Sequence, residues 1–81
     1  MNAAASPSPE NRILTNREVQ CLEGLACGLS NNEIAKQLQI SGPTVALHLS
    51  NARKKLSAKT REQAIAIAVA RSLITFQNSG Q

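Results

Sequence analysis

The stretch that decides the fold is residues 40–56, ISGPTVALHLSNARKKL. It begins like an α-helix, because Ser41 is a favourable N-cap and Pro43 is tolerated in a first helical turn. A helical period of 3.6 residues places four apolar side chains on one side. These are Val45, Leu49, Ala52 and Leu56. We therefore predict a helix over residues 42–56 that packs this stripe against a core.

The remaining faces of this helix carry a different chemistry. Opposite the core stripe lie Pro43, Leu47, Ser50 and Lys54, with Ala46 and Arg53 beside them. One flanking edge carries Thr44, His48, Asn51 and Lys55. Hydroxyl, imidazole, amide and ammonium groups are the donors that hold phosphates in protein–DNA complexes. Taken alone, the helix could equally be an ordinary amphipathic helix with a solvated basic end, so its neighbours decide.

Three further segments begin with the pattern S/T-x-x-E/Q, which is the sequence of a helix capping box. They start at Thr15, Ser30 and Thr60, and predict helices over residues 16–27, 31–38 or 39, and 61–73. Gly28 stands where a left-handed residue closes a helix. A short helix, a tight turn at residues 39–41 and a longer helix form a helix-turn-helix pattern, which suits a recognition helix in a DNA major groove.

The chain length and charge agree with a small binding domain. Eighty-one residues form one domain at most, which we predict over residues 14–74, with flexible tails at 1–13 and 75–81. The first tail resembles a linker remnant in composition, but could equally be a natural terminus. A net charge of +4 favours an anionic partner such as nucleic acid or an acidic membrane surface. The single aromatic residue, Phe76, argues against platforms for single-stranded nucleic acid or RNA, which need stacking rings.

Other classes of function find no support in the sequence. Cys21 and Cys27 point to different helix faces and match neither a metal pair nor a redox motif, so we expect no metal and no cofactor. We interpret both as small core or boundary residues in a reducing cytoplasm. No segment has the ~20 apolar residues of a membrane span, and none is typical of a signal peptide. No nucleophile–base pair, carboxylate pair or phosphate loop indicates an enzyme.

The motifs together resemble the LuxR/GerE-type helix-turn-helix domain of bacterial transcription regulators. The resemblance covers about residues 14–74 and rests on LTNRE at 14–18, GLSNNEIA at 28–35, ISGPTV at 40–45, His48 and the Lys55–Leu56 pair. It implies an all-α, four-helix fold, double-stranded DNA as the partner, and a cytoplasmic, nucleoid-associated bacterial protein. In this family the fourth helix commonly pairs two copies on a two-fold symmetric site, which would account for the apolar segment AIAIAVA at 64–70.

Positions carry over from the family one by one. Base-reading side chains are implied at Ala46, Leu47, Ser50 and Lys54. Backbone contacts are implied at Ser30, Asn31, Asn32, Thr44, His48, Asn51, Arg53 and Lys55. Homodimer contacts are implied at Ile65, Ala66, Val69 and Leu73. Arg61 is interpreted as a tie between the fourth helix and the rest. Many relatives have Lys at the position of Ala46 and a polar residue at that of Leu47, so we expect more apolar contact with thymine methyls here.

Two other functions stay open at this point. The fold would also suit a promoter reader like region four of a sigma factor, working within RNA polymerase. The loss of Lys at Ala46 would suit a protein-interaction module that docks through residues 61–73. A small-molecule or phosphorylation signal would act only through an upstream domain. Quorum sensing and transcriptional activation are the regulatory roles that the resemblance favours.

Overall fold

The computed structural model describes residues 13–75, which form four α-helices and no strand. The helices are α1 (Asn16–Ala26), α2 (Asn31–Leu38), α3 (Gly42–Lys55) and α4 (Arg61–Ala70). Helix α3 packs against each of the other three, and α4 also packs on α1. The predicted all-α class and the predicted order of helices are therefore confirmed. The predicted flexible tails lie outside the described residues, apart from Ile13 and Thr75.

The helix starts follow the predicted capping chemistry, with one exception. Thr15 and Ser30 each form a complete capping box, in which the hydroxyl accepts from the N3 backbone and the N3 glutamate accepts from the cap backbone. Thr60 Oγ1 also accepts from the Gln63 backbone N–H, at 3.0 Å. The Gln63 amide oxygen, however, accepts from the Lys59 N–H at 2.6 Å, one residue before the cap. The third box is therefore only half formed.

All four helices end in the same type of motif, and only one of these uses glycine. After α1, Gly28 has φ of +92°, and the N–H of Leu29 donates to the carbonyl of Gly24 at 3.0 Å. This bond, together with the hydrogen bond donated by the Gly28 N–H, defines a Schellman motif. Gln39, Ser57 and Ser72 take the left-handed position after α2, α3 and α4, with φ of 60°, 55° and 59°.

Helix α4 is shorter than predicted because of Ser72. The Leu73 N–H donates to the Ala68 carbonyl at 2.7 Å, which reverses the chain after Ala70. The chain then runs back along α1, where the Thr75 N–H donates to the Glu23 carboxylate at 3.0 Å. Ile74 is buried, so the residues that follow α4 complete the core.

The core gathers around the predicted stripe of α3. Val45, Leu49, Ala52 and Leu56 are all buried, together with Cys21 and Leu22 of α1 and Ile34 of α2. Ala64 and Ala68 of α4 are also buried, and their small side chains allow α4 to lie close to its neighbours. Of the two cysteines, Cys21 belongs to the core as predicted. Cys27 is exposed, because it caps α1 on the solvent side rather than at the boundary of the core.

Candidate nucleic-acid interface

The face of α3 opposite the core carries the four residues predicted to read bases. Ala46, Leu47 and Lys54 are exposed, and Ser50 is partly buried. Leu47 is the most exposed large apolar side chain among residues 13–75, at 58%. None of the four side chains hydrogen-bonds to another described residue. Helix α3 thus presents two apolar groups, a hydroxyl and an ammonium group that the fold itself does not use.

The predicted backbone-contacting residues divide into two groups. Ser30, Asn31, Thr44, Arg53 and Lys55 already hold other parts of the domain. Asn32, His48 and Asn51 make no side-chain hydrogen bond within residues 13–75. The second group lies with Lys54 on or beside the exposed part of α3 and the start of α2. All donors of these side chains are available to a phosphate, whereas the first group offers only the donors that its intramolecular bonds leave unused.

At the start of α2, two expected donors are occupied. The Ser30 N–H donates to Glu33 Oε1 at 2.8 Å, and Ser30 Oγ accepts from the Glu33 N–H at 3.1 Å. The Glu33 carboxylate also favours the positive end of the helix dipole, where a phosphate would otherwise sit. The donors left at this helix start are the Ser30 hydroxyl hydrogen and the backbone N–H and side-chain NH₂ groups of Asn31 and Asn32.

Lys55 forms an ion pair with a buried carboxylate. Its Nζ lies 2.8 Å from Glu18 Oε1, and Glu18 is only 3% exposed. The same carboxylate oxygen accepts from the Thr15 N–H, so Glu18 links the start of α1 to the end of α3. Burial raises the pKa of Glu18, but the hydrogen bonds from Lys55 and Thr15 and the charge of Lys55 together lower it below 4.5. Lys55 therefore anchors α3, and only its exposed part can face an outside phosphate.

Arg61 joins α4 to α2 as predicted. Arg61 Nη1 donates to Asn31 Oδ1 at 3.1 Å. The two residues are the first of their helices, so this hydrogen bond bridges the starts of α2 and α4, both of which pack on α3. Between them lies an open cleft of about 240 Å³. It is lined by Asn31, Ala46, Leu49, Ser50, Arg53 and Arg61.

The four predicted dimer residues do not all lie on one helix face. Ile65 is half-buried, Ala66 is exposed and Val69 is 44% exposed. Leu73 follows the left-handed turn at Ser72, so it lies beyond the helix rather than on its stripe. Ile65, Ala66 and Val69 belong to the accessible apolar surface of α4, to which half-buried Ile67 and exposed Ala70 also contribute, and half-buried Leu73 lies beyond its end.

Comparison with known proteins shows to which family a chain with this geometry belongs. Residues 12–68 match the GerE model, described as "Bacterial regulatory proteins, luxR family". This segment is more than half of the chain and contains the helix-turn-helix. The chain belongs to the LuxR family.

Several LuxR-family proteins are similar to this chain. It is 50% identical over 58 residues to the "CsgBAC operon transcriptional regulatory protein" of Escherichia coli, covering 72% of this chain and 27% of that protein. It is 53% identical over 57 residues to the "Transcriptional activator protein VanR" of Vibrio anguillarum, covering 70% and 24%. The chain thus spans about a quarter of the length of these relatives.

A solved structure confirms the fold. "Structure of Transcription factor, GerE" superposes with a TM-score of 0.77 at 34% identity, covering 80% of this chain and 97% of that one. The structural similarity therefore extends over almost the whole length of that solved structure. The chain is a LuxR-family helix-turn-helix domain, the DNA-binding part of a transcription regulator, and its relatives are regulators rather than enzymes.

None of the described helices is long and apolar enough to cross a membrane. Across residues 13–75, no group of His, Cys, Asp or Glu could hold a metal ion. The contribution of Arg61 to the cleft was missed by the sequence, which indicated only its structural role. The one sequence feature that could have indicated this contribution is the position of Arg61 as the first residue of α4, directly after the N-cap.

Proposed function

We propose that the domain binds double-stranded DNA sequence-specifically, with α3 in the major groove. The observation that carries this is the exposed face of α3, where Ala46, Leu47, Ser50 and Lys54 have no partner within residues 13–75. A helix packed on one side against three others, with an unused polar and apolar face, has the docking geometry of a helix-turn-helix recognition helix.

Two kinds of contact would read the sequence. Ser50 and Lys54 offer hydrogen-bond donors to base edges, and Lys commonly donates to guanine O6 and N7. Ala46 and Leu47 offer only apolar surface, which suits the C5-methyl group of thymine. We therefore expect a half-site in which at least one thymine lies under Leu47.

The position on the DNA would be set by phosphate contacts. Asn32, His48 and Asn51 would donate to phosphates without cost to the fold. The exposed parts of Ser30, Thr44 and Lys55 would add to them. Such contacts fix the register of a protein on the duplex but carry no sequence information.

The domain would act as a homodimer through α4. Ile65, Ala66 and Val69 form an apolar surface that the monomer leaves partly open, with Leu73 beside it. Pairing of two copies across this surface would bind a two-fold symmetric site, with half-sites about one helical turn apart.

Regulation would come from outside these residues. Support for an activator comes from the relative named VanR, and support for quorum sensing comes from "HTH-type quorum sensing-dependent transcriptional regulator VjbR" of Brucella ovis, 42% identical over 62 residues. The relative "Nitrate/nitrite response regulator protein NarP" of Escherichia coli, 40% identical over 68 residues, supports a different signal. We propose an activator whose DNA-binding domain spans residues 14–74, acts in the bacterial cytoplasm, contacts RNA polymerase, and receives its small-molecule or phosphorylation signal through another domain.

The test is a selection of random double-stranded DNA on the purified chain at near-physiological salt. We expect an enriched inverted repeat, and binding that weakens steeply as salt rises because phosphate contacts release counterions. The matched variant Leu47→Ser should relax the preference for thymine at one position and leave the others unchanged. A pool without any preference over scrambled DNA would contradict the proposal.

A second candidate function follows from the apolar character of the same face. Leu47 and Ala46 could contact a protein instead of DNA, with α4 as the docking helix. Intact activity in the double variant Asn51→Ala and Lys54→Ala would favour this interaction module. Recovery of RNA polymerase with the chain in a pulldown that needs no DNA would instead favour the sigma-like promoter reader.

A further inference from the structure

The cleft between the starts of α2 and α4 has a lining suited to an anion. Two guanidinium groups, from Arg53 and Arg61, border it, together with the amide of Asn31 and the hydroxyl of Ser50. No carboxylate is among its lining residues, although Glu33 and Glu62 lie in the first turns of the same two helices. The floor is formed by apolar side chains of α3.

The hydrogen bond between Arg61 and Asn31 fixes the orientation of the amide. A guanidinium group only donates, so Asn31 must present Oδ1 to it, as the 3.1 Å contact shows. The amide NH₂ of Asn31 is then left to donate elsewhere. The hydrogen bond thus orients a neutral donor as well as joining two helices.

The two arginines retain most of their donors. Arg61 uses Nη1 for Asn31, and Arg53 uses Nη1 for the carbonyl of Ala58 at 3.2 Å. Their other N–H groups have no partner within residues 13–75. A guanidinium group has five N–H donors in a planar fork, which matches the oxygens of a phosphate.

We propose that this cleft binds one phosphate of the DNA backbone, with Arg61 and Arg53 as charged donors and Asn31 as a neutral donor. This rests on the proposed function, because the duplex supplies the phosphate. Ala46 and Ser50 line the same cleft and belong to the face proposed to read bases. A strand that borders the groove occupied by α3 would therefore bring a phosphate to the cleft. Arg61 would both tie α4 to α2 and contact DNA.

The test separates these two roles of Arg61 through the salt dependence of binding. Arg61→Gln removes the charge but retains a shorter side chain with an amide donor, and Arg61→Ala removes both. Duplex affinity is measured by fluorescence anisotropy across a range of KCl concentrations, on the selected site and on a scrambled duplex. We expect both variants to make the negative slope of log K against log salt shallower, by about 0.9 per subunit. Over a tenfold range of salt, this change corresponds to about an eightfold change in relative affinity.

Arg71→Gln is the matched control, because it removes the same charge from the opposite end of α4, outside the cleft. Its slope should stay close to that of the unmodified chain, and circular dichroism would establish that each variant is folded. The loss in both Arg61 variants should be similar on the selected and scrambled duplexes, as expected for a phosphate contact.

Two results would overturn the phosphate site while leaving the proposed function intact. In the first, Arg61→Gln binds like the unmodified chain and only Arg61→Ala is weakened, which indicates a purely structural tie. In the second, both variants lose affinity with an unchanged slope. If the unmodified chain binds no duplex at all, the proposed function fails and the phosphate site fails with it.

Discussion

Gly24 is the position where the packing of α1 on α2 leaves no room for a side chain. A Cβ atom placed there would lie 2.7 Å from Ile34 Cγ1 and 3.0 Å from Ile34 Cδ1. Ile34 is buried at 1% exposure and belongs to α2, which begins at Asn31, one of the residues that line the proposed phosphate cleft. The substitution Gly24→Ala therefore tests whether this contact sets the position of α2.

Two opposing effects decide how much Gly24→Ala changes the free energy of unfolding. Alanine gains about 0.8–1.0 kcal/mol over glycine from helix propensity. Overpacking a well-packed core costs about 1–3 kcal/mol. The upper part of that range applies here, because carbon atoms prefer a separation of about 3.5–4.0 Å and a β-branched side chain is stiff at χ1. Because Ile34 is restricted at χ1, we expect α1 and α2 to move apart. We expect a net destabilisation of roughly 1–2 kcal/mol, or a fall in Tm of about 4–16 °C for a domain of this size.

Thermal and urea unfolding followed by circular dichroism would measure the change. The matched control is Gln20, an exposed position of α1, where the difference between Gln20→Gly and Gln20→Ala gives the propensity gain without a clash. DNA affinity should also fall in Gly24→Ala, because the shifted α2 carries Asn31. A rise in Tm equal to the gain at Gln20 would contradict this expectation, since it would show that α1 and α2 separate freely.

Three further changes probe the domain. Glu18→Gln should flatten the pH dependence of the free energy of unfolding. Because the pKa of Glu18 is lowered in the folded domain, its carboxylate stabilises the fold above pH 4.5, and this contribution is lost as the pH falls through the folded pKa. Urea midpoints between pH 3 and 7 would check this, and parallel profiles would contradict it. Gln39→Gly should raise the free energy of unfolding by about 0.5–1 kcal/mol. It removes the strain of a non-glycine residue in the left-handed conformation, and the greater entropy of glycine in the unfolded chain offsets part of this gain. An unchanged urea midpoint would count against strain at that turn. Val69→Asp should leave the helical signal unchanged and weaken the cooperative occupation of two half-sites in gel-shift titrations, whereas unchanged cooperativity would place the dimer contact elsewhere.

The sequence was sufficient for the helix starts and the core, and insufficient for the helix ends. A capping box is a local pattern, so Thr15 and Ser30 marked their helices correctly. A Schellman motif requires a residue in the left-handed conformation, and of the four residues that adopt it only Gly28 is of a type that favours it. Ser72 adopts it because the following residues return to the core, where Ile74 is buried. That long-range packing is invisible in a local pattern, and helix four was predicted three residues too long.

The site was predictable in position but not in its internal bonds. The period of α3 fixed which residues face away from the core, and all four proposed base-reading residues lie there. The partners of Lys55 and Arg61 could not be predicted in the same way, because Glu18 and Asn31 lie 37 and 30 residues away in the chain. Only the packing of four helices brings such residues together.

These long-range bonds suggest how a small domain keeps α3 and the helices around it in place. Lys55 ties the end of α3 to Glu18 of α1, and Arg61 ties α4 to the start of α2. Both ties use a positive residue on the side that would face DNA. A positive residue with an intramolecular partner has a fixed position, so less side-chain entropy is lost when a phosphate approaches. The same partner competes with that phosphate, more strongly when it is a carboxylate than when it is an amide. Arg61, held by the neutral Asn31, would therefore keep its charge for the proposed phosphate, whereas the charge of Lys55 is largely balanced by Glu18.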